Sequence, residues 1–192
     1  MVSPIDMQRL MDALKTNKTI QYLDMSWMPI PHEIVQWIAD MLKVNCTLKV
    51  LIMDRCSISQ NGLQLITEAL EHNFTLKTIT LAYNLFRSHG AWYMYHLLEH
   101  NHTLRNIDIR GNLINPMGLK LISTAIACNG IVLRVDGIDD CNHCFGRNKN
   151  AKKHVKMTRR FMGNLRSFPH DLAQLIDVEI WSSRGDSAWW EI

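Results

Sequence analysis

The chain has 192 residues and a mass of 22.3 kDa, with 47% hydrophobic and 20% charged side chains. That balance fits one domain or a short repeat array and excludes a disordered or collagen-like chain. The net charge of +3 is small, and no apolar run reaches about 18 residues, so no membrane-spanning helix is expected.

Asp6, Arg9 and Asp12 interrupt the apolar residues of positions 1–14, which does not fit a secretory signal peptide. Five cysteines, an odd number, point to reduced thiols in a cytoplasmic or nuclear protein rather than to a disulfide framework. The charge is unevenly placed. Residues 1–140 hold 12 basic and 13 acidic side chains, residues 141–166 eight basic and no acidic, and residues 167–192 one basic and five acidic.

Taken in chain order, Leu10, Ala13 and Leu14 have helical spacing and match the ends of helices further on. Residues 1–16 are therefore expected to form half a repeat. Asn17, Asn45, Asn73, Asn101 and Asn129 follow at intervals of 28 residues, and the first four are each followed two positions later by Thr19, Thr47, Thr75 or Thr103. Full repeats are expected at 17–44, 45–72, 73–100 and 101–128, with a terminal strand in 129–136. Within each unit Ile20, Leu48, Leu76 or Leu104 comes first. Leu23, Leu51, Ile79 or Ile107 stands three positions later, and Met25, Met53, Leu81 or Ile109 two beyond that. The last two positions share one face of a short strand, because side chains alternate with period two.

The second half of each unit has a helical period. Gly62, Leu63, Ile66, Ala69 and Leu70 recur at three- and four-residue spacing, as do Gly90, Ala91, Met94, Leu97 and Leu98, and Gly118, Leu119, Ile122, Ala125 and Ile126. Each helix thus has one apolar stripe to lay against its own strand. A turn slot between strand and helix holds Met28, Cys56, Asn84 and Asn112.

A strand and a helix every 28 residues, with the strand spacing L-x-x-L-x-L-x-x-N/C, resembles the leucine-rich-repeat family, in its ribonuclease-inhibitor-like subclass. The resemblance covers roughly residues 1–136. It implies an α/β solenoid, a right-handed βα superhelix with a parallel sheet on the concave face and helices on the convex face. It also implies that Cys56, Asn84 and Asn112 hydrogen-bond neighbouring backbone as a ladder, a role that Met28 cannot fill. Residues 39–49, Ala-Asp-Met-Leu-Lys-Val-Asn-Cys-Thr-Leu-Lys, and the helical stretch Ile58 to Leu70 are similar to the C-terminal repeat domain of the tropomodulins, which cap actin filaments.

After Val135 the register ends. Residues 137–192 read as a C-terminal cap or tail, since a solenoid needs a cover for its open core. A basic helix is expected over 151–163 and a second helix from about Pro169 to Trp181, with Ser167 as its cap and Asp171 near its N-terminus. Phe161, Leu172, Leu175 and Ile176 are the apolar residues available to pack it.

Several motifs must be weighed against this frame. The four Asn-x-Thr sites match the glycosylation pattern, but they recur because the turn into each strand requires them. Cys141 and Cys144 form half of a zinc knuckle. Tetrahedral zinc needs four ligands and no second Cys-x-x-Cys exists, so no metal or other cofactor is expected. Arg147, Lys149, Lys152, Lys153, Lys156, Arg159 and Arg160 could meet phosphates, yet few aromatics interleave with them to stack on bases. No nucleophile elbow or glycine-rich phosphate loop is present, so an enzyme is not expected. The nine histidines are scattered, and His72 and His100 share a repeat position, which reads as structural.

The strand positions opposite the core remain. Tyr22, Asp24, Val50, Ile52, Asp54, Asp108 and Arg110, with Trp27, Arg55 and Tyr83 on the rim, form the candidate partner-binding face. Aromatic and Arg residues around a small apolar centre are what protein interfaces favour. The expected function is a non-catalytic, monomeric module that binds a protein partner there, with neither a membrane nor nucleic acid as partner. Two alternatives stand beside it: an adaptor whose C-terminal helices recruit a ubiquitin ligase, and weak nucleic-acid binding through the basic segment 147–166.

Overall fold

A computed structural model describes residues 3–129, 131, 132 and 134–138. Helices and strands alternate: α1 (Pro4–Thr16), β1 (Tyr22–Asp24), α2 (His32–Val44), β2 (Val50–Ile52), α3 (Gln60–Glu71), β3 (Thr78–Thr80), α4 (Arg87–His100), β4 (Asn106–Asp108), α5 (Pro116–Asn129) and β5 (Arg134–Asp136). The five strands form one parallel sheet in sequential order. Every pairing is offset by 28 residues, from Tyr22 opposite Val50 to Asn106 opposite Arg134. A strictly repeated sequence places the same position of each unit beside its counterpart, so the repeat period is the sheet register. The architecture is the α/β parallel solenoid expected. The last strand, Arg134–Asp136, pairs with β4 and sets Val135 opposite Ile107.

Each strand is three residues long, and its central residue points inward. Leu51 and Ile79 are wholly buried, and Ile107 and Val135 nearly so. Their flanking residues face the other side of the sheet.

The Asn-x-Thr turns hold successive units together. The Oδ1 atoms of Asn45, Asn73 and Asn101 each accept backbone N–H groups from residues two and three positions ahead, at 2.8–2.9 Å. Their Nδ2 groups donate to carbonyls one repeat back: Leu14, Leu42 and Leu70, at 2.6–2.7 Å. Thr47, Thr75 and Thr103 hydroxyls donate to the carbonyls of Asn17, Asn45 and Asn73. Asn45, Asn73 and Asn101 are buried with their amide nitrogens bonded to backbone carbonyls, which leaves no room for a glycan.

A second ladder runs through the turn slot. Cys56 Sγ donates to the Met25 carbonyl at 3.1 Å, Asn84 Nδ2 to Met53 at 2.9 Å and Asn112 Nδ2 to Leu81 at 2.8 Å. Oδ1 of Asn84 accepts from Cys56 and Ile58 N–H, both at 3.0 Å. Met28, with no such polar atoms, is partly buried against the core instead.

The recurrent glycine at the start of α3, α4 and α5 has a steric cause. A Cβ on Gly90 would lie 2.6 Å from the Phe86 Cβ and 3.1 Å from Leu63. Only a bare backbone lets α4 approach this closely, and Phe86 is then wholly buried.

Candidate functional site: the sheet face and its rim

The candidate residues fall into two groups, strand side chains and a rim of turns that follow the strands. On the strands, register sets Tyr22 beside Val50 and Asp24 beside Ile52, with Thr78 and Thr80 next along. Tyr22 is 58% exposed, and Val50 and Ile52 are half-buried. The three make a small apolar area flanked by hydroxyls and carboxylates.

The carboxylates mostly serve the backbone. Asp24 Oδ1 accepts the Ser26 N–H at 2.9 Å, and hydrogen bonds from the Ser26 side chain and backbone hold its carboxyl below the usual range. Asp54 Oδ1 accepts the Ala82 N–H from the next repeat at 2.9 Å. Asp108 departs from the expectation of a solvent-facing contact residue, because it is buried at 7% exposure. Arg110 folds back along its own strand, with Nε 3.0 and 3.1 Å from the two Asp108 oxygens and Nη2 2.6 Å from Oδ2. That bidentate pairing raises the Arg110 pKa, through the hydrogen bond first and the charge second. Both charges are thereby spent on each other.

The rim is built from one repeat position. Trp27, Arg55, Tyr83 and Gly111 all have left-handed backbone, with φ of 64°, 55°, 55° and 68°. The N–H groups of the first three donate to carbonyls of the next repeat: Trp27 to Asp54, Arg55 to Ala82 and Tyr83 to Arg110. The turn therefore demands positive φ, and glycine meets that demand without strain. Only the fourth repeat uses glycine. At the other three a large side chain occupies the position, at about 1–2 kcal/mol each. These side chains stack. The Arg55 guanidinium carbon lies 4.6 Å from the Trp27 ring centroid and 4.2 Å from the Tyr83 ring centroid. Tyr83 lies over Gly111, whose missing Cβ would collide with the ring. Among the described residues no carboxylate is within ion-pairing distance of Arg55, and Trp27 and Tyr83 remain 73% and 48% exposed.

Sequence reasoning missed Leu85 and Leu113, which are 53% and 73% exposed in the same row of turns. Each directly follows a ladder asparagine, Asn84 or Asn112, and that adjacency was the available signal. It also passed over His96, Glu99 and His100, the group among the described residues whose ligand atoms lie close enough to hold a metal ion. Their spacing of three and one along a helix was the signal there.

The basic residues Arg147, Lys149, Lys152, Lys153, Lys156, Arg159 and Arg160, the Cys141 and Cys144 pair, and the expected cap helices lie outside the described residues. Among the described cysteines, Cys46, Cys56 and Cys128 are free thiols. No described helix is long and apolar enough to cross a membrane.

The fold defines a class, the leucine-rich-repeat-like solenoid with a parallel sheet. No family model matches the sequence, and no curated protein matches it. Solved structures do. One is described as leiomodin-1 actin-binding site 2, with a TM-score of 0.65 at 15% identity, covering 85% of this chain and 99% of the other. Another is the tropomodulin C-terminal domain of Caenorhabditis elegans, with a TM-score of 0.60 at 13% identity, covering 79% and 90%. At such identities the likeness is one of fold.

Proposed function

We propose that this chain is a non-catalytic protein-binding module whose repeat array, residues 1–136, engages its partner through the strand face and the Trp27–Arg55–Tyr83 rim. One observation carries the reading: three successive repeats place large, exposed side chains where the backbone favours glycine. The left-handed strain of about 1–2 kcal/mol per position exceeds the gain of about 0.5–1 kcal/mol from an exposed cation–π contact, so folding alone does not favour that choice. Trp, Tyr and Arg, by contrast, are the residue types that most often anchor interfaces. The Arg55 guanidinium lies over both rings with no carboxylate in ion-pairing distance among the described residues, so its N–H groups can meet an acidic or carbonyl group on a partner.

Leiomodin-1's actin-binding site 2 shares the fold, which makes actin the first partner to test. The unbroken 28-residue register supports the ribonuclease-inhibitor-like subclass, and the free thiols support a cytoplasmic or nuclear location. The test is binding of purified monomeric and filamentous actin, alongside affinity purification with mass spectrometry. Trp27→Ala combined with Arg55→Ala should weaken the partner at least about tenfold, since loss of an anchor costs about 2 kcal/mol or more. Charge reversal at the helix residues Glu68 or Lys120 should leave binding unchanged. Loss of binding with the helix variants and not with the rim variant would overturn the assignment.

A further inference from the structure

The final turns of α4 carry His96, Glu99 and His100, at relative positions i, i+3 and i+4, which share one helix face. One ligand atom from each lies within 4.8 Å of the others. We propose that these three residues form a binding site for a divalent first-row transition metal of the zinc class, independent of the partner-binding face.

Three features support ligation. First, His100 Nδ1 lies 2.9 Å from the His96 carbonyl oxygen. A carbonyl can only accept, so Nδ1 carries the proton and the Nε2 lone pair is left for a metal. Metal-binding histidines are oriented in this way, by a second-nitrogen hydrogen bond that fixes the tautomer. Second, the Tyr95 hydroxyl donates to Glu99 Oε1 at 2.9 Å, so the carboxylate too is held by a supporting hydrogen bond. Third, the His96 ring is packed edge-on against Trp92, with centroids 4.4 Å apart, and is near-parallel to His100 at 6.2 Å. Both imidazoles are therefore already placed on the same side of the helix.

Electrostatics adds to this. The C-terminal end of a helix carries partial negative charge from its unpaired carbonyls, which favours a cation there. Imidazole and carboxylate ligands suit zinc, copper and nickel, whereas magnesium and calcium prefer oxygen alone. Ligands bonded at about 2.0–2.1 Å sit roughly 3.3 Å apart in a tetrahedron, so small rotations of Glu99 and His100, both exposed, close the site. Water takes the outward positions. A bound ion would tie the end of α4 together.

Zinc titration of the full-length protein tests this, in a background carrying Cys141→Ser and Cys144→Ser so that thiols of that segment do not compete. One zinc ion per chain should bind and raise the melting temperature, while magnesium should do neither. Loss of an outer-shell partner alone weakens metal binding roughly 10–100-fold, so Glu99→Gln and His100→Gln, tested separately, should each weaken zinc at least about tenfold. Both positions are exposed, and circular dichroism of each variant without metal checks the fold. Cobalt substitution should give visible bands without sulfur-to-cobalt charge transfer. Absence of zinc binding, unchanged affinity in both variants, or a sulfur-to-cobalt band in this background would overturn the assignment.

Discussion

Asn112 and Asn84 occupy the same slot of consecutive repeats, and Asn112 Oδ1 accepts the backbone N–H of Asn84 at 3.0 Å. Asn84 does the same for Cys56 one repeat earlier. Each asparagine is a rung that supplies both the acceptor and the donor its neighbour's turn requires, so the cost of losing one falls on the adjoining unit.

Asn84→Ala should therefore destabilise the fold by at least about 2 kcal/mol. It leaves the buried N–H groups of Cys56 and Ile58 without partners, and each orphaned group costs about 1–3 kcal/mol. Asn61→Ala, on an exposed part of α3, should stay within about 0.5 kcal/mol of the wild type. Chemical denaturation of the two variants checks the difference.

Leu51→Ala and Leu81→Ala should each cost roughly 2–5 kcal/mol, because both side chains are buried and the solenoid cannot collapse around the cavity without moving two repeats. Melts that superimpose on the wild type would contradict the burial of Leu51 and Leu81 in the repeat core.

Trp27→Gly separates stability from binding. Glycine relieves the left-handed strain at φ 64° but removes the ring stacked on Arg55. The two effects are of similar size, about 1–2 kcal/mol of strain against about 0.5–1 kcal/mol for an exposed cation–π contact. The melting temperature should thus hold or rise while partner affinity falls. A melt lowered by several degrees would show that the rim is a folding element rather than a recognition surface.

Thiol chemistry should distinguish the cysteines. Burial pushes the Cys56 thiol up to about 11, whereas Cys46 and Cys128 are exposed. In the native protein at pH 8, iodoacetamide should label Cys46 and Cys128 and spare Cys56, with peptide mass spectrometry as the readout. The sign of the linked stability effect follows. The folded state holds its proton above the pH at which the unfolded thiol loses it, so this contribution is complete below about pH 8.5 and declines as pH rises towards 11. Cys56→Ser should flatten that part of the stability profile.

The repeat array was legible because a solenoid is nearly one-dimensional. Each unit touches only its neighbours, so a local spacing of Asn, Thr and apolar residues repeated every 28 positions determines strand register, helix placement and the asparagine ladders without knowledge of distant contacts. The strand-facing candidates Tyr22, Asp24, Val50 and Ile52 followed from the same alternation. The His96–Glu99–His100 group was equally local. The 28-residue period relates His100 to His72, which masks the helical spacing that relates it to His96 one turn away.

Alternation along a strand tells which side a residue faces, but not what covers it there. Asp108 has the parity of a solvent-facing residue and is buried, because Arg110 returns over it. Likewise, the sequence places Trp27, Arg55 and Tyr83 in equivalent turns, yet only stacking of successive repeats brings the guanidinium between the two rings. That arrangement depends on a left-handed backbone whose N–H groups must reach the next repeat. Register is decided by period, which the amino-acid sequence carries. Side-chain direction at the rim is decided by φ and by the neighbouring unit, and these exist only once the chain has folded.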